Sequence, residues 1–219
     1  MARSAASGDV PTSTKAKEVA RSAASGDVPT STKATTSRLR TRRSAEVARG
    51  ASAEGPRAGR PRMPTGYGVP KTARGMVPWP VTRALLERAR SYWLVTVNPD
   101  GAPHLVGQWG AWIDDRWYFE GGADTRWARN VAREPRIAMG VEHGTSAVMV
   151  EGRAERVGSV DRPTAIRITK QYGAKYGRVY SYRPKPEQWE GGGYVLTPMK
   201  IFSWDVRGFP RTVTRYLFE

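Results

Sequence analysis

The sequence predicts a mainly β domain with a few helices, closed into a β-barrel and preceded by a disordered basic tail. Two observations support this prediction. All 8 Trp, 9 Tyr and 4 Phe lie at or after Tyr67, and a segment without large apolar side chains builds little core. From Tyr67 onward, short apolar runs alternate with turn signals, which is typical of antiparallel strands. We therefore expect a tail over residues 1–62 and a folded domain over residues 67–219.

The tail is basic and repetitive. Residues 1–62 hold 13 Lys and Arg against 5 Asp and Glu, and the segment RSAASGDVPTSTKA occurs at residues 3–16 and again at residues 21–34. Each repeat has a single Val as its large apolar residue, so stacked copies would bury too little surface to offset the entropy of ordering. We interpret the repeat as a duplicated flexible segment. A natural start of the chain at Met63 is an alternative interpretation.

The pattern of the domain gives six or seven strands and two or three helices, and such a set closes into a barrel. The turn at residues 98–101 (Asn-Pro-Asp-Gly) joins two apolar runs into a hairpin. Residues 148–157 alternate between small or apolar and charged side chains, as in a strand with one buried face. Asp124 or Thr125 is the expected N-cap of one helix, and Asp161 of another. The predicted helices are Val81–Arg90, Asp124–Arg133 and Pro163–Tyr176, and the predicted strands are Tyr92–Val97, His104–Ile113, Arg116–Glu120, Arg136–Glu142, Val148–Val157, Tyr194–Val206 and Thr212–Phe218.

Several classes of protein are disfavoured by composition. The chain has no Cys, which removes disulfides, thiolate metal sites and thiol nucleophiles and fits a reducing compartment, with the cytoplasm as the default. His104 and His143 are too far apart in sequence to form a local metal pair, so we expect no metal site. No apolar run approaches the roughly 20 residues of a membrane-spanning helix. Common nucleotide-loop, hydrolase-elbow and metalloprotease motifs are missing.

The turn from Gly121 to Arg126 is the candidate binding site that the residues themselves indicate. Paired glycines allow a ligand to approach the backbone, and a helix N-terminus, a Thr hydroxyl and an Arg fork suit a phosphate monoester. The alternative is a self-capped helix in which the Asp124 carboxylate occupies the same donors and Arg126 is solvated.

The run from Tyr92 to Val157 resembles the core of the pyridoxamine 5′-phosphate oxidase and deazaflavin-dependent oxidoreductase superfamily. The matching segments are, in order, WLVTVNPDGAPHLV, WGAWIDDRWYFEGG, TRWARNVAREPRIAMGV and VMVEGRAERV. The resemblance implies a split β-barrel that forms a homodimer and binds a phosphate-bearing cofactor, FMN or coenzyme F-420, at the dimer interface. It also implies hydride transfer between that cofactor and a small-molecule substrate.

The same resemblance assigns positions to the cofactor. Trp127 stands where family members usually carry Lys, which leaves Arg126 and Arg129 to neutralise the phosphate. Ala147 stands where some flavin-binding members carry a Gln that contacts the cofactor across the dimer. Trp109, Trp112 and Tyr172 are candidates to shape the substrate pocket, with simple barrel packing as the alternative for the two tryptophans. The implied cofactor site comprises Gln108, Trp109 and Gly110 along the ring, Glu120 and Gly121 beside it, Thr125, Arg126 and Trp127 at the phosphate, and Asn130, which we expect to brace the turn.

Two other functions are compatible with the sequence. The domain could bind a cofactor or tetrapyrrole without turnover. The cluster Arg38-Leu39-Arg40-Thr41-Arg42-Arg43 in the tail could neutralise nucleic-acid phosphates. Because this cluster lacks interleaved aromatic residues for base stacking, we favour a small-molecule partner over nucleic acid.

Overall fold

The computed structural model describes residues 55–219, which belong to one compact unit. Within these residues, nine strands and four α-helices are present, together with short 3-10 turns at Thr65–Tyr67 and Val206–Gly208. The strands are β1 (Arg57–Gly59), β2 (Tyr92–Val97), β3 (Pro103–Gln108), β4 (Ala111–Ile113), β5 (Arg116–Phe119), β6 (Arg136–His143), β7 (Ser146–Val157), β8 (Gly193–Asp205) and β9 (Thr214–Leu217). The helices are α1 (Trp79–Arg88), α2 (Arg126–Arg133), α3 (Arg162–Tyr176) and α4 (Pro186–Glu190).

All strand pairs are antiparallel, in the order β1-β9-β8-β7-β6-β2-β3, with β5 paired to β8 and β4 paired to β5. The long strand β8 pairs with β7 on one edge and divides its other edge between β5 and β9. In the part of the chain that the structure describes, β3 pairs only with β2. The sheet is therefore open between β3 and the β4–β5 hairpin, and the predicted split β-barrel is confirmed.

The core follows the alternation of the strands. Val148, Val150 and Ala154 of β7 are buried, while Glu151 and Arg153 are exposed, as the sequence pattern predicts. One cluster of apolar side chains fills the barrel around Trp117, and a second lies where α3 and α4 cover the β4–β5 hairpin. Removal of this apolar surface from water is the main favourable contribution to folding.

The predicted second strand, His104–Ile113, is interrupted in the structure. β3 ends at Gln108 and β4 begins at Ala111, because the chain crosses closely over a tryptophan at Gly110. A Cβ atom at Gly110 would lie 2.0 Å from Nε1 of Trp117. The backbone of Gly110 is hydrogen-bonded to side chains of α3 instead of a neighbouring strand.

The sheet also begins earlier in the chain than composition predicts. Residues 57–62 were expected in the disordered tail, but Arg57–Gly59 pairs with β9. The next residue, Arg60, holds this segment in place through hydrogen bonds to residues far along the chain. Such contacts leave no local pattern in the sequence. Its guanidinium donates to the carbonyl oxygens of Thr72, Arg74, Arg211 and Val213. The short helix α4 was likewise not predicted. Residues 1–54, with the repeats and the Arg38–Arg43 cluster, lie outside the described residues.

No helix within residues 55–219 is both long enough and apolar enough to cross a bilayer.

The bulge in β7 provides a test of the packing. A Cβ atom at Gly152 would lie 2.3 Å from the backbone oxygen of Thr197, and neither backbone can move without disturbing the β7–β8 pairing. We expect Gly152→Ala to lower the free energy of unfolding by about 1–3 kcal/mol. Gly140→Ala is the matched control, since its nearest atom would be 3.9 Å away. Urea unfolding measures both variants, and equal stability of the two would contradict the packing described.

Candidate functional site

The opening of the barrel lies between β3 and the turn at residues 120–125; we call this opening the split. A side-chain hydrogen bond spans it, from Nε2 of Gln108 to the backbone oxygen of Glu120, at 2.7 Å. The free edge of β3 therefore faces the turn that leads into α2. This brings together two of the segments that the sequence assigned to the cofactor.

Thr125 caps the N-terminus of α2. Its Oγ1 accepts from the backbone N–H of Ala128 at 3.3 Å and donates to the backbone oxygen of Gly122 at 2.8 Å. Within residues 55–219, the backbone N–H groups of Arg126 and Trp127 have no acceptor, and neither has the exposed guanidinium of Arg126. The helix is therefore capped by Thr125, and the alternative interpretation, capping by the Asp124 carboxylate, is wrong. Two free N–H groups and one free guanidinium form a donor set for an anion.

Trp127 lies in the barrel core and is 5% exposed. Its indole makes an edge contact with Tyr194, with ring centroids 4.7 Å apart, and a tilted contact with Phe119 at 5.3 Å. A Cβ atom at Gly121 would lie 2.6 Å from Cζ2 of Trp127, so the glycine allows the turn to pass over the ring. From this position the Trp127 ring packs beneath the turn, and its backbone N–H is the group that remains available for an anion at the helix N-terminus.

Asn130 braces the neighbouring hairpin. Its side chain is buried, and Nδ2 donates to Oγ1 of Thr96 at 3.0 Å and to Oδ1 of Asn98 at 3.1 Å. These bonds connect α2 to the end of β2 and to the turn before β3. They fix the position of the helix relative to the strand on the other side of the split.

Helix α3 holds the segment that joins β3 to β4. Trp109 stacks on Tyr176 with ring centroids 4.5 Å apart and an interplanar angle of 9°. The N–H of Gly110 donates to the hydroxyl of Tyr176 at 3.0 Å, and its carbonyl accepts from Nζ of Lys175 at 2.9 Å. The backbone of Gly110 is therefore fully engaged within the protein, while Trp109 is half-buried.

Glu120 lies at the end of β5 and is bonded to a loop that the sequence did not single out. Its carboxylate accepts from the hydroxyl of Tyr182 at 2.6 Å. Burial raises the pKa of Glu120, and the bond from Tyr182 acts in the opposite direction. Tyr182 also contacts Trp109, with ring centroids 5.8 Å apart. Through Tyr182, the loop after α3 thus contacts both Trp109 and Glu120, the residues expected along and beside the cofactor ring.

Trp112 and Tyr172, expected as candidates for the substrate pocket, are 1% and 0% exposed. Trp112 belongs to the barrel core and Tyr172 to the cluster under α3 and α4. Lys175 and Tyr182 were missed because nothing in their local sequence separates them from ordinary surface residues. Only the fold brings them to the site.

Comparison with known proteins agrees with this architecture. The sequence profile described as pyridoxamine 5′-phosphate oxidase matches residues 79–204. The chain belongs to the pyridoxamine 5′-phosphate oxidase family. No curated protein matches the chain.

Among solved structures, a conserved hypothetical protein from Mycobacterium tuberculosis is 26% identical, with a TM-score of 0.50 over 64% of this chain and 93% of that chain. A structure described as an F420 reductase is 26% identical, with a TM-score of 0.42 over 54% of this chain and 94% of its own. A pyridoxamine 5′-phosphate oxidase-related, FMN-binding protein from Nostoc punctiforme is 18% identical, with a TM-score of 0.43 over 62% and 87%.

Lys175 makes the stability of the domain depend on pH. The side chain is 6% exposed and has neutral partners, the hydroxyl of Tyr92 at 2.7 Å and the carbonyl of Gly110. Burial lowers the pKa of Lys175 to about 7, and the more distant charge of Glu87 opposes this weakly. The unfolded chain keeps the proton up to the ordinary pKa of 10.5. Raising the pH above 7 therefore favours the folded state.

We expect the free energy of unfolding of the wild type to rise by about 1 kcal/mol per pH unit between pH 7 and about pH 9, relative to Lys175→Met. Lys170→Met, an exposed lysine of the same helix, is the matched control and should keep the wild-type slope. Urea unfolding at several pH values measures the difference. Parallel curves for wild type and Lys175→Met would show that the buried amine does not titrate in this range.

Proposed function

We propose that this member of the family is an oxidoreductase that binds FMN or coenzyme F-420 in the split and transfers hydride between the cofactor and a small molecule. The observation that supports this best is the unsatisfied donor set at the start of α2 beside the free edge of β3. A phosphate would be held by the N–H groups of Arg126 and Trp127 and by the Arg126 guanidinium. These donors would be available to an anionic group without any rearrangement of the Thr125 cap.

The ring system of the cofactor would lie along the segment from Gln108 to Gly110, with Glu120 and Gly121 on the opposite side of the split. When bound, the cofactor supplies the hydride chemistry, and the protein binds and orients it. The hydrogen bonds from α3 to Gly110 and from Tyr182 to Glu120 would keep these two sides at a constant separation. A preorganised cleft of this kind lowers the cost of ordering on binding.

Fluorescence titration of the purified chain with FMN and with F-420 tests the proposal. We expect at least one of them to bind, and Arg126→Met to weaken the binding about tenfold, because a charge-assisted bond to the phosphate is lost. Arg207→Met is the control and should bind as the wild type does, because Arg207 is exposed and follows the end of β8 that is opposite to the end paired with β5.

Failure of both cofactors to bind would overturn the proposal. Tight binding without reduction or oxidation of the bound cofactor by any donor or acceptor would instead identify a carrier. Retained affinity in Arg126→Met would exclude the start of α2 as the phosphate site.

A homodimer is part of this proposal. The outward face of the sheet carries exposed apolar side chains near the split, with Trp93 54% and Leu105 59% exposed. Trp93 stands opposite Gly107 on β3 and Gly140 on β6, so its ring projects above two positions without side chains. A second copy that covers this patch would bury it and bring the two splits close to the interface.

Trp93→Asp should convert the dimer to a monomer, because a carboxylate in the centre of an apolar contact is left without a partner. Ile166→Asp is the matched control: Ile166 is 48% exposed but lies on α3. Sedimentation velocity distinguishes the two states. A monomeric wild type, or a dimeric Trp93→Asp protein, would remove this patch as the interface.

A further inference from the structure

Three aromatic side chains, Trp109, Tyr180 and Tyr182, meet beside the split; we call them the aromatic site. The ring centroid of Trp109 lies 4.7 Å from that of Tyr180 and 5.8 Å from that of Tyr182. The interplanar angles are 40° and 51°, so neither tyrosine is stacked flat on the indole. Trp109 and Tyr182 are half-buried, and Tyr180 is 54% exposed. Grouped rings that stay accessible to solvent are typical of a ligand site.

Tyr176 occupies one face of the Trp109 indole, on which it is stacked with centroids 4.5 Å apart. The centroids of Tyr176 and Tyr180 are 6.5 Å apart. This distance is too short for Tyr180 to lie on the opposite face, since a sandwich about Trp109 would separate the two tyrosines by twice the stacking distance. Tyr180 therefore stands at the edge of the indole. In the part of the chain that the structure describes, no second ring is stacked on Trp109.

The loop that carries Tyr180 and Tyr182 is held in an unusual conformation. Ser181, between them, has a φ of 55°, in the left-handed region that residues other than glycine rarely adopt. Such a conformation persists where the surrounding contacts fix it. Here the contacts are those of both tyrosines with Trp109 and the hydrogen bond from Tyr182 to Glu120. The aromatic site is therefore preorganised.

Glu120 adds a negative charge to the aromatic site. Its Oε1 accepts from the hydroxyl of Tyr182 at 2.6 Å. No Lys or Arg within residues 55–219 forms an ion pair with Glu120, although the chain carries a net charge of +16. A carboxylate that is partly buried among rings without a cationic partner is costly, and a cation that binds beside it offsets part of that cost.

The buried side of the site does not neutralise Glu120 either. Tyr172 is fully buried, and its ring centroid lies 6.2 Å from that of Tyr182. Its hydroxyl has no hydrogen-bond partner among the described residues. Burial, and after it the charge of Glu120, raise the pKa of Tyr172. The negative charge of Glu120 therefore acts into the core as well as toward the rings, and it is compensated on neither side.

We infer that the aromatic site binds a quaternary ammonium group, with its methyl groups against Trp109, Tyr180 and Tyr182 and its charge near Glu120. Aromatic ring faces attract such cations. Because a quaternary ammonium has no N–H, it does not compete with the Tyr182 hydroxyl for the carboxylate. The group would belong to the substrate of the proposed oxidoreductase, and only this role rests on the proposed function. Binding itself is measured on the full chain without cofactor.

Choline is the probe, and 3,3-dimethylbutan-1-ol is the control probe, because it has the same shape without the charge. Isothermal titration calorimetry at constant ionic strength measures both. We expect choline to bind at one site per chain and at least about tenfold more tightly than the alcohol. Equal affinity for the two probes, or no binding of choline, would overturn the inference. Ethanolamine keeps the charge without the methyl groups and should bind more weakly than choline; tighter binding of ethanolamine would also overturn it.

Two pairs of variants locate the site. Glu120→Gln should weaken choline about tenfold, because the amide keeps an oxygen for Tyr182 but loses the charge. Glu142→Gln, at an exposed position of β6, should not. Tyr180→Leu should weaken choline about three- to tenfold through loss of a ring, whereas Tyr67→Leu, at a tyrosine that is 51% exposed, should not. Unchanged affinity in both Glu120→Gln and Tyr180→Leu would place any binding elsewhere and contradict the inference.

The cofactor titration separates this inference from the proposed function. Choline binding by a chain that binds neither FMN nor F-420 would support the ammonium site and overturn the oxidoreductase proposal. Cofactor binding without choline binding would overturn the ammonium site alone. Circular dichroism and urea unfolding of each variant separate loss of binding from loss of folding.

Discussion

The pairing of β8 sets the shape of this domain. One edge of the strand is taken up by β7, and the other is shared between β5 and β9. Buried backbone groups need hydrogen-bond partners, so the sheet divides where β8 changes partner, with the β4–β5 hairpin on one branch and β1–β9 on the other. As a result, β3 ends next to the turn after β5 without a strand between them. The split, and with it the candidate cofactor site, is a consequence of this division.

Aromatic packing then decides which groups face the split. Trp127 fills the barrel together with Phe119 and Tyr194, so the position at which the resemblance implies a lysine contributes to the core. In the proposed function, the charge for an anion at the start of α2 would come from Arg126, supported by backbone N–H groups. The same division of roles occurs on the other side, where Trp109 is stacked on Tyr176 and the peptide of Gly110 is bound by α3. Large aromatic rings stabilise both sides of the split, and few groups on either side make polar contacts.

The split combines an aromatic surface with an arginine, Arg126, that has no acidic partner among residues 55–219. The chain carries a net charge of +16, and most ion pairs of the described residues are on the surface, where they contribute little to stability. In the proposed function, an unpaired arginine next to an aromatic surface would give the split its preference for an anion.

The sequence by itself determined the class of fold and most elements. The period of the apolar residues predicted the strand Tyr92–Val97 with the bounds that it has in the structure. The cap residues predicted Asp161 as the N-cap of α3. These features succeed because alternation, turns and caps are local properties of the backbone. The resemblance identified the family, and it predicts a phosphate at the turn before α2. It did not reveal that Trp127 is in the core.

Only the tertiary structure decided which residues meet. The break between β3 and β4 depends on the close approach of Gly110 to Trp117. Strand β1 depends on pairing with β9, at the far end of the chain. The contacts of Lys175 and Tyr182 join α3 and the loop after it to earlier strands. These contacts arise from pairing and burial between distant segments, and no pattern within one segment records them.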